Sequence, residues 1–158
     1  EKKPLKIETF PVQIAFNLFP HVDKFLENGY TREEMKMVNE TKKIMNAPNM
    51  KISATCVRVP ILRAHSEAIW VETEKKITAK EAREIFKNGP GIAVKDEHID
   101  GGYPTPWEAD KTTETFVGRI REDLSHTNGL TFWVVADQLY KGAALNSIQI
   151  AEFLVSGT

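Results

Sequence analysis

Three side chains that could do chemistry lie close together in the segment TCVRVPILRAH, residues 55–65. Cys56 and Arg58 are two positions apart, and residues at that spacing on an extended strand face the same side. A guanidinium lowers the pKa of a neighbouring thiol, and the imidazole of His65 can accept the thiol proton. The cluster therefore fits an activated thiolate, but it fits equally a buried structural cysteine beside a surface arginine and histidine.

A second pair with chemical potential is Glu33 and Lys36, which are three residues apart in a segment that predicts a helix. Residues at this spacing share one helix face. A carboxylate beside an ammonium group can hold a small zwitterion or an oxyanion. The alternative is an ordinary solvated ion pair on a helix surface, and the spacing alone leaves both interpretations open.

The third candidate is the segment ADQLYKGAALNSIQIAE near the carboxyl end, which combines amide side chains with small residues. Gln138 precedes a predicted helix, and Asn146 and Gln149 follow along it. Small residues allow another surface to approach closely. The segment fits packing of a helix on a sheet, and it also fits docking on a second domain with the amides reaching a ligand.

The sequence lacks the common motifs for phosphate loops and for metal sites. There is no GxGxxG or GxxxxGK[ST] motif, so a nucleotide must bind mainly outside these residues. The four histidines show no HxxxH or HExxH spacing, and the single cysteine excludes an internal disulfide or a multi-cysteine metal site. We therefore expect no metal site and a reducing, cytoplasmic environment.

Charge and hydropathy exclude two further classes of partner. The formal net charge is −1, which predicts no general attraction to nucleic acid or to an anionic membrane. No apolar run approaches the roughly 18 residues that span a bilayer, and the first residues, EKKPLKIETF, lack the apolar core of a secretory signal. We expect a soluble protein that is not exported.

The elements that must position these residues follow from capping and periodicity. Thr31 with Glu34 and Thr78 with Glu81 have capping-box spacing, which predicts helices over residues 31–46 and 78–87. A terminal helix is predicted over 139–154, and a Gly- and Pro-rich irregular loop over 98–111. Alternating or continuous apolar runs predict five strands, over residues 52–59, 67–73, 92–95, 115–121 and 130–136.

This order of elements predicts an α+β fold, with a mixed, mainly antiparallel sheet and helices on one face. The length of 158 residues and the hydrophobic content of 41% fit a single domain over residues 1–158. No internal repeat or low-complexity run divides the chain.

Five blocks of the sequence resemble a known family. They are FNLFPHVDKF, NGYTREEMKMVNETKKIM, SATCVRVPILRAHSEA, ETFVGRIREDL and WVVADQLYKGAALNSIQIAE. In order and spacing they are similar to the carboxy-terminal catalytic and dimerisation domain of bacterial aspartate-β-semialdehyde dehydrogenases. The resemblance implies the fold of the carboxy-terminal domain of glyceraldehyde-3-phosphate dehydrogenase.

The resemblance implies an NADP-dependent oxidoreductase of amino-acid biosynthesis, on the route to lysine, methionine, threonine and diaminopimelate. The family interconverts L-aspartyl-4-phosphate and L-aspartate-4-semialdehyde, with phosphate, through a thioester on a cysteine. That cysteine lies in an Asn-Cys-Ser/Thr motif that these residues lack, so Cys56 becomes a structural neighbour. An amino-terminal domain with the nucleophile and most of the NADP site is expected elsewhere, with a homodimer as the assembly and no activity for this chain alone.

The resemblance also gives a role to each candidate residue. The proton carrier is His65, the α-carboxylate ligand is Arg58, the ammonium ligand is Glu33, the phosphate ligand is Lys36, and the residues near the nicotinamide are Gln138 and Asn146. Two alternatives stay open. One is a non-catalytic dimerisation or binding module of the same fold, and the other is a dehydrogenase for a related acyl phosphate such as an acylglutamyl phosphate.

Overall fold

A computed structural model describes residues 7–157 of the chain. The first six residues, which belong to the segment EKKPLKIETF considered for an export signal, lie outside this range. Contacts within the chain divide it between Pro60 and Ile61 into two compact units, called here unit 1 and unit 2. A single domain over residues 1–158 stays a prediction. In the described range no helix is both long and apolar enough to cross a membrane.

Between residues 7 and 60, unit 1 contains one helix, α1, at Arg32–Ile44. Its amino end is a capping box: the Thr31 hydroxyl accepts from the backbone N–H of Glu34, and the Glu34 carboxylate accepts from the backbone N–H of Thr31. These bonds satisfy donors that the first turn of a helix otherwise leaves unpaired. The helix predicted from this spacing is confirmed.

The strand predicted over residues 52–59 is wrong. This segment is extended, with side chains that alternate between more and less exposed, but it forms only an isolated bridge between Phe19 and Arg58. The next two pairs of an antiparallel ladder would need the N–H groups of Pro60 and His21. Proline has no N–H, and the N–H of His21 donates to the Phe19 carbonyl instead. The ladder therefore ends after one pair.

The described residues of unit 2, 61–157, form four strands, three helices and a π-helical turn. The strands are β1 (His65–Glu72), β2 (Ile92–Val94), β3 (Thr115–Glu122) and β4 (Gly129–Ala136). The helices are α2 (Ala79–Lys87), α3 (Pro106–Ala109) and α4 (Leu145–Ser156), and the π-helical turn is Tyr140–Ala144. The four strands and helix α2 lie where the sequence predicted them, with ends that differ by one or two residues.

The strands form one sheet in the order β1-β4-β3-β2. The β1–β4 and β4–β3 pairs are antiparallel and the short β2–β3 pair is parallel, which confirms the prediction of a mixed, mainly antiparallel sheet. The register of β3 against β4 shifts by one residue between Gly118 and Arg121. Arg119, in this bulge, has a positive φ of 55°.

The two faces of the sheet carry separate apolar clusters. Successive residues of a strand point to opposite faces, so Val134 and Val135 of β4 lie on opposite sides. On the first face, called face A, Ala82 of α2 packs against buried β-strand residues, namely Val117, Ile120 and Leu130. On the other face, called face B, Ala64, Ala109 and Val135 form a smaller cluster. Helix α2 therefore covers face A, whereas α3 packs on face B through Ala109.

Two segments of unit 2 differ from their predictions. The loop predicted to be irregular over 98–111 contains α3, whose capping box joins Thr105 and Glu108 and whose Ala109 is buried on face B. The terminal helix begins with the π-helical turn before it becomes α4. A single widened turn cannot be read from apolar periodicity, because it changes the helical spacing by one residue only once.

Candidate functional site

Glu34 organises the candidate residues of unit 1. Besides capping α1, its carboxylate accepts a hydrogen bond of 2.9 Å from the backbone N–H of Cys56, so the helix and the extended segment are joined through one buried side chain. The backbone N–H groups of Thr31 and then Cys56 hold the pKa of Glu34 below its ordinary value of 4.5, against the opposing effect of burial. The ionised carboxylate therefore fixes the backbone two residues before Arg58.

Arg58 is anchored through its backbone, and one donor of its side chain has no hydrogen-bond partner among residues 7–157. Its N–H and carbonyl exchange hydrogen bonds with Phe19 at 2.9 and 3.1 Å, and its guanidinium lies 5.4 Å from the centre of the Phe10 ring. The Nε atom is buried, and no group in residues 7–157 accepts its hydrogen bond. A buried donor without an acceptor is costly, so this geometry is suited to an anion that supplies one.

Glu33 and Lys36 contact each other on α1, at the spacing that the sequence predicted. The Lys36 Nζ atom donates to Glu33 Oε2 at 3.0 Å, and this hydrogen bond is the main reason why the pKa of Lys36 is raised above 10.5. Both side chains are partly exposed. Exposed ion pairs contribute little to stability, so this pair can open to bind a ligand at low cost.

Cys56 lies on the less exposed side of the extended segment, together with Arg58, while Val57 and Val59 between and after them are exposed. That these two side chains face one cleft stays a prediction. The backbone of Cys56 is bound to Glu34, which gives this position a structural role.

His65 opens strand β1 of unit 2. Its backbone pairs with Ala136, the last residue of β4, and its side chain is exposed. The residue before it, Ala64, is buried and has a positive φ of 67°, an uncommon conformation for alanine. This bend and the packing of Ala64 against Ala109 and Val135 fix the direction in which the strand begins.

Gln138 follows β4 by two residues, so the β1–β4 register places it near the end of the sheet where His65 lies. Its carboxamide oxygen Oε1 is buried and accepts no hydrogen bond from any residue between 7 and 157. Asn146, by contrast, is exposed on α4. The sheet thus brings the predicted proton carrier and one predicted nicotinamide residue to the same end, while Asn146 lies on the following helix.

Asp137, between Ala136 and Gln138, is fully buried at 0% exposure, and sequence reasoning gave it no role. Its carboxylate accepts hydrogen bonds from the backbone N–H groups of Lys111, Leu139 and Tyr140 at 2.8, 2.7 and 3.0 Å. Burial raises the pKa of Asp137, but the hydrogen bonds from these backbone donors lower it by more than burial raises it. The pKa therefore lies below its ordinary value of 3.8. Its place before a predicted helix, where aspartate caps backbone N–H groups, was the available signal.

No three His, Cys, Asp or Glu side chains in the described ranges lie close enough to hold a metal ion. The predicted site residues nevertheless offer several polar groups to a ligand. In unit 1 they are an arginine with a buried unpartnered N–H and a carboxylate–ammonium pair, and in unit 2 an exposed imidazole and a buried amide oxygen.

Comparison with known proteins places the chain in a family. Residues 1–141 match the sequence profile of the family described as semialdehyde dehydrogenase, dimerisation domain. The chain belongs to this semialdehyde dehydrogenase family. The resemblance seen in the sequence blocks and the expected type of domain are therefore confirmed.

Individual semialdehyde dehydrogenases are similar over nearly the whole chain. The aspartate-semialdehyde dehydrogenase of Aquifex aeolicus is 54% identical over 154 residues, which are 98% of this chain and 45% of that protein. The crystal structure of aspartate semialdehyde dehydrogenase II of Vibrio cholerae, complexed with ASA, has a TM-score of 0.92 and 45% identity, and the match covers 97% of this chain and 45% of that one.

A more distant member of the family, the aspartate semialdehyde dehydrogenase of Candida albicans with NADP, has a TM-score of 0.73 and 25% identity. That match covers 89% of this chain and 45% of the fungal one. The chain therefore spans less than half the length of these relatives. The fold, a mixed sheet with helices, is that of the same domain in the dehydrogenases.

Proposed function

We propose that the protein to which these 158 residues belong interconverts L-aspartyl-4-phosphate and L-aspartate-4-semialdehyde with NADP and phosphate. In this proposal the chain supplies substrate-binding residues and the proton carrier. The observation that carries the proposal is the buried Nε of Arg58, which has no acceptor in residues 7–157, because such a donor favours an anionic ligand that supplies an acceptor oxygen. The substrate α-carboxylate is such a group.

The remaining residues of unit 1 complete the recognition of a charged amino acid. Glu33 offers a carboxylate to the substrate ammonium, and Lys36 offers a cation to phosphate. In the structure they neutralise each other at 3.0 Å, so the charges are already placed when a ligand of opposite charges enters. The Glu34 carboxylate, bound to Cys56, keeps the segment of Arg58 fixed to the helix that carries the pair.

The proposed task of His65 is to hold and release a proton at a ring nitrogen. An imidazole nitrogen can both accept and donate a proton, and the exposed ring on an anchored backbone is accessible to a reacting group. The thiol that reacts with the carbonyl carbon is expected outside these residues, together with the domain that binds most of the nucleotide. We therefore expect the chain alone to be inactive, and we assign the protein to the cytoplasm.

The buried amide oxygen of Gln138 fits a nicotinamide cofactor, because the carboxamide of nicotinamide carries N–H donors and this oxygen lacks one. When bound, NADP supplies the hydride acceptor or donor. Gln138 would hold the nicotinamide end, and Asn146 is proposed as a second amide near that end. The fungal relative is described with NADP, which supports this choice of cofactor.

We also propose a homodimer that pairs face B of two copies. This face carries Trp70 at 49% exposure and a groove of about 400 Å³ lined by residues that include Ala68 and Trp133. The hydroxyl of Thr131, also on this face, is buried without a hydrogen-bond partner in residues 7–157. A face with an exposed aromatic side chain, a groove and such a hydroxyl suits contact with another protein surface.

The test uses the full-length enzyme that contains residues 1–158. It is assayed for phosphate-dependent reduction of NADP with L-aspartate-4-semialdehyde and with an acylglutamate semialdehyde. The proposal expects a kcat/KM at least a hundredfold higher for the aspartate compound. The reverse preference identifies a dehydrogenase for the related acyl phosphate, and no turnover of either compound by the folded dimer identifies a non-catalytic module.

A further inference from the structure

We propose that Asp137 is a positioning residue that aims Gln138 at the cofactor, a role that rests on the proposed function. The two residues are adjacent, but their side chains differ in one decisive respect. The Asp137 carboxylate is completely buried and fully engaged with backbone donors, whereas the Gln138 amide oxygen is buried and has no partner in the described part of the chain. The Asp137 side chain fixes the backbone around residues 137–140, and the Gln138 side chain keeps an acceptor for a ligand.

One oxygen of the Asp137 carboxylate binds the backbone that directly follows Gln138. Oδ1 of Asp137 accepts from the N–H groups of Leu139 and Tyr140, the two residues that follow Gln138. These bonds fix the backbone on the carboxyl side of Gln138, while the β4 ladder, which ends at Ala136, fixes the amino side. The backbone of Gln138 is therefore restrained on both sides, by Ala136 before it and by Leu139 after it.

The second oxygen ties the turn to another segment. Oδ2 of Asp137 accepts from the N–H of Lys111, the residue that ends the 98–111 loop and has a positive φ of 60°. A backbone held in this uncommon region needs support from its surroundings. A single carboxylate thus connects the loop, the end of the sheet and the beginning of the π-helical turn.

The π-helical turn strengthens this inference. The N–H of Gly142 bonds to the Asp137 carbonyl at 3.2 Å and the N–H of Ala144 bonds to the Leu139 carbonyl at 2.9 Å, so the widened turn starts from the anchored residues. Single π-helical turns are frequent at functional sites because they reorient side chains within a helix. Here the π-helical turn begins at Tyr140, two residues after Gln138.

Two substitutions of Asp137 should differ in how many backbone hydrogen bonds they remove. In Asp137→Asn the amide keeps one acceptor oxygen for Leu139 and Tyr140, but its NH₂ group faces the N–H of Lys111. Asp137→Ala removes all three acceptors. We expect Asp137→Ala to raise the KM for NADP about thirtyfold and Asp137→Asn about tenfold, with the KM for the semialdehyde within twofold of the unsubstituted enzyme. Asp96→Asn, which alters another buried aspartate that binds a backbone N–H, should leave the KM for NADP unchanged.

The decisive experiment is a double-mutant cycle in the full-length enzyme, with Asp137→Asn measured in the unsubstituted and in the Gln138→Ala background. If Asp137 acts through Gln138, its tenfold effect on the KM for NADP falls below twofold when Gln138 is absent. An effect of the same size in both backgrounds, or none in either, overturns the proposal.

A second readout separates this proposal from the proposed function. Hydrogen exchange of the Lys111, Leu139 and Tyr140 amides in the 158-residue chain reports the anchoring without any activity. Asp137→Asn should accelerate exchange at Lys111 more than tenfold, and unchanged exchange overturns the anchoring. An enzyme that fails to use NADP while this exchange changes as expected contradicts the proposed function and the aiming of Gln138, but leaves the anchoring role supported.

Discussion

The backbone N–H of Cys56 donates a hydrogen bond of 2.9 Å to Oε1 of Glu34, and this bond joins the extended segment of Arg58 to the first turn of α1. The other carboxylate oxygen, Oε2, accepts from the N–H of Thr31 at 2.7 Å. Glu34 therefore serves both as a helix cap and as the fastening of the segment that carries the proposed carboxylate ligand.

The first prediction concerns the pH dependence of this fastening. The pKa of Glu34 in the folded chain lies below 4.5, so its contribution to stability is present above about pH 4.5 and is lost as the pH falls through the folded pKa. Glu34→Gln should lower the melting temperature at pH 7 and should reduce the loss of stability on acidification. Thermal unfolding followed by circular dichroism from pH 7 to pH 3 measures both effects.

Glu81→Gln is the matched control for Glu34, because Glu81 caps helix α2 through the same kind of box and its pKa is also lowered. It should change the acid branch of the stability curve without affecting substrate binding by the full-length enzyme. Equal effects of the two substitutions on the KM for the semialdehyde would remove the proposed link between Glu34 and the Arg58 segment.

The second prediction concerns the planar head of Arg58. Arg58→Lys keeps the positive charge but loses the buried Nε–H, and an ammonium group cannot donate in a fixed fork. We expect kcat/KM for L-aspartate-4-semialdehyde to fall about tenfold to a hundredfold, in keeping with the roughly 1.5–3 kcal/mol of a hydrogen bond to a charged group. Steady-state kinetics of the full-length enzyme measure this loss.

Arg32→Lys provides the control for Arg58, since Arg32 is an exposed arginine of unit 1 that lies 3.9 Å from Asp23. Its kinetics should match those of the unsubstituted enzyme. An Arg58→Lys enzyme with the same kcat/KM as the Arg32→Lys enzyme would contradict a carboxylate-binding role for the guanidinium.

The third prediction separates the two members of the ion pair on α1. Lys36→Met should raise the KM for phosphate about tenfold, because it removes a charge-assisted donor, and Glu33→Gln should instead raise the KM for the semialdehyde. Initial rates with each substrate varied in turn distinguish the two effects. Lys43→Met, in the last turn of the same helix, is the control. Identical kinetic changes in the Lys36 and Glu33 variants would indicate that the pair is only structural.

The fourth prediction concerns the dimer. Ala68 lies on face B opposite Trp133, in a groove that Arg119 and Arg121 also line, so Ala68→Lys places an unpaired cation in the proposed contact. We expect the dissociation constant of the dimer to rise at least tenfold, because an unpaired charge within an interface loses its hydration. Sedimentation equilibrium of the 158-residue chain measures it. Glu67→Lys changes the charge of the neighbouring residue, which faces the opposite side, and a dimer weakened equally by this control would place the contact elsewhere.

The sequence predicted the elements whose signals are local. Capping boxes at Thr31 and Thr78 located two helices, and the apolar runs in β3 and β4 located the centre of the sheet. The prediction of a strand over residues 52–59 was wrong. An alternating pattern indicates which side of a segment is exposed, but a strand also needs a partner with free N–H groups. Pro60 and the turn at His21 remove those groups.

The candidate site was predictable only in part, for a related reason. The helical spacing of Glu33 and Lys36 is local, and their contact follows from it. The roles of Glu34 and Asp137 depend on backbone N–H groups that are distant in the sequence, 22 and 26 residues away at Cys56 and Lys111. Only the folded chain shows that these carboxylates meet such donors.

The central claim is that His65 and Arg58 serve one dehydrogenase reaction, and its most direct test is the rate of phosphate-dependent NADP reduction. The full-length enzyme is assayed with L-aspartate-4-semialdehyde, unsubstituted and as the His65→Ala and Arg58→Ala variants. We predict a hundredfold or greater loss of kcat for His65→Ala, consistent with the roughly 10²–10⁴-fold contribution of general acid–base catalysis, and a comparable loss of kcat/KM for Arg58→Ala. Rates within twofold of the unsubstituted enzyme in both folded variants would contradict the assignment.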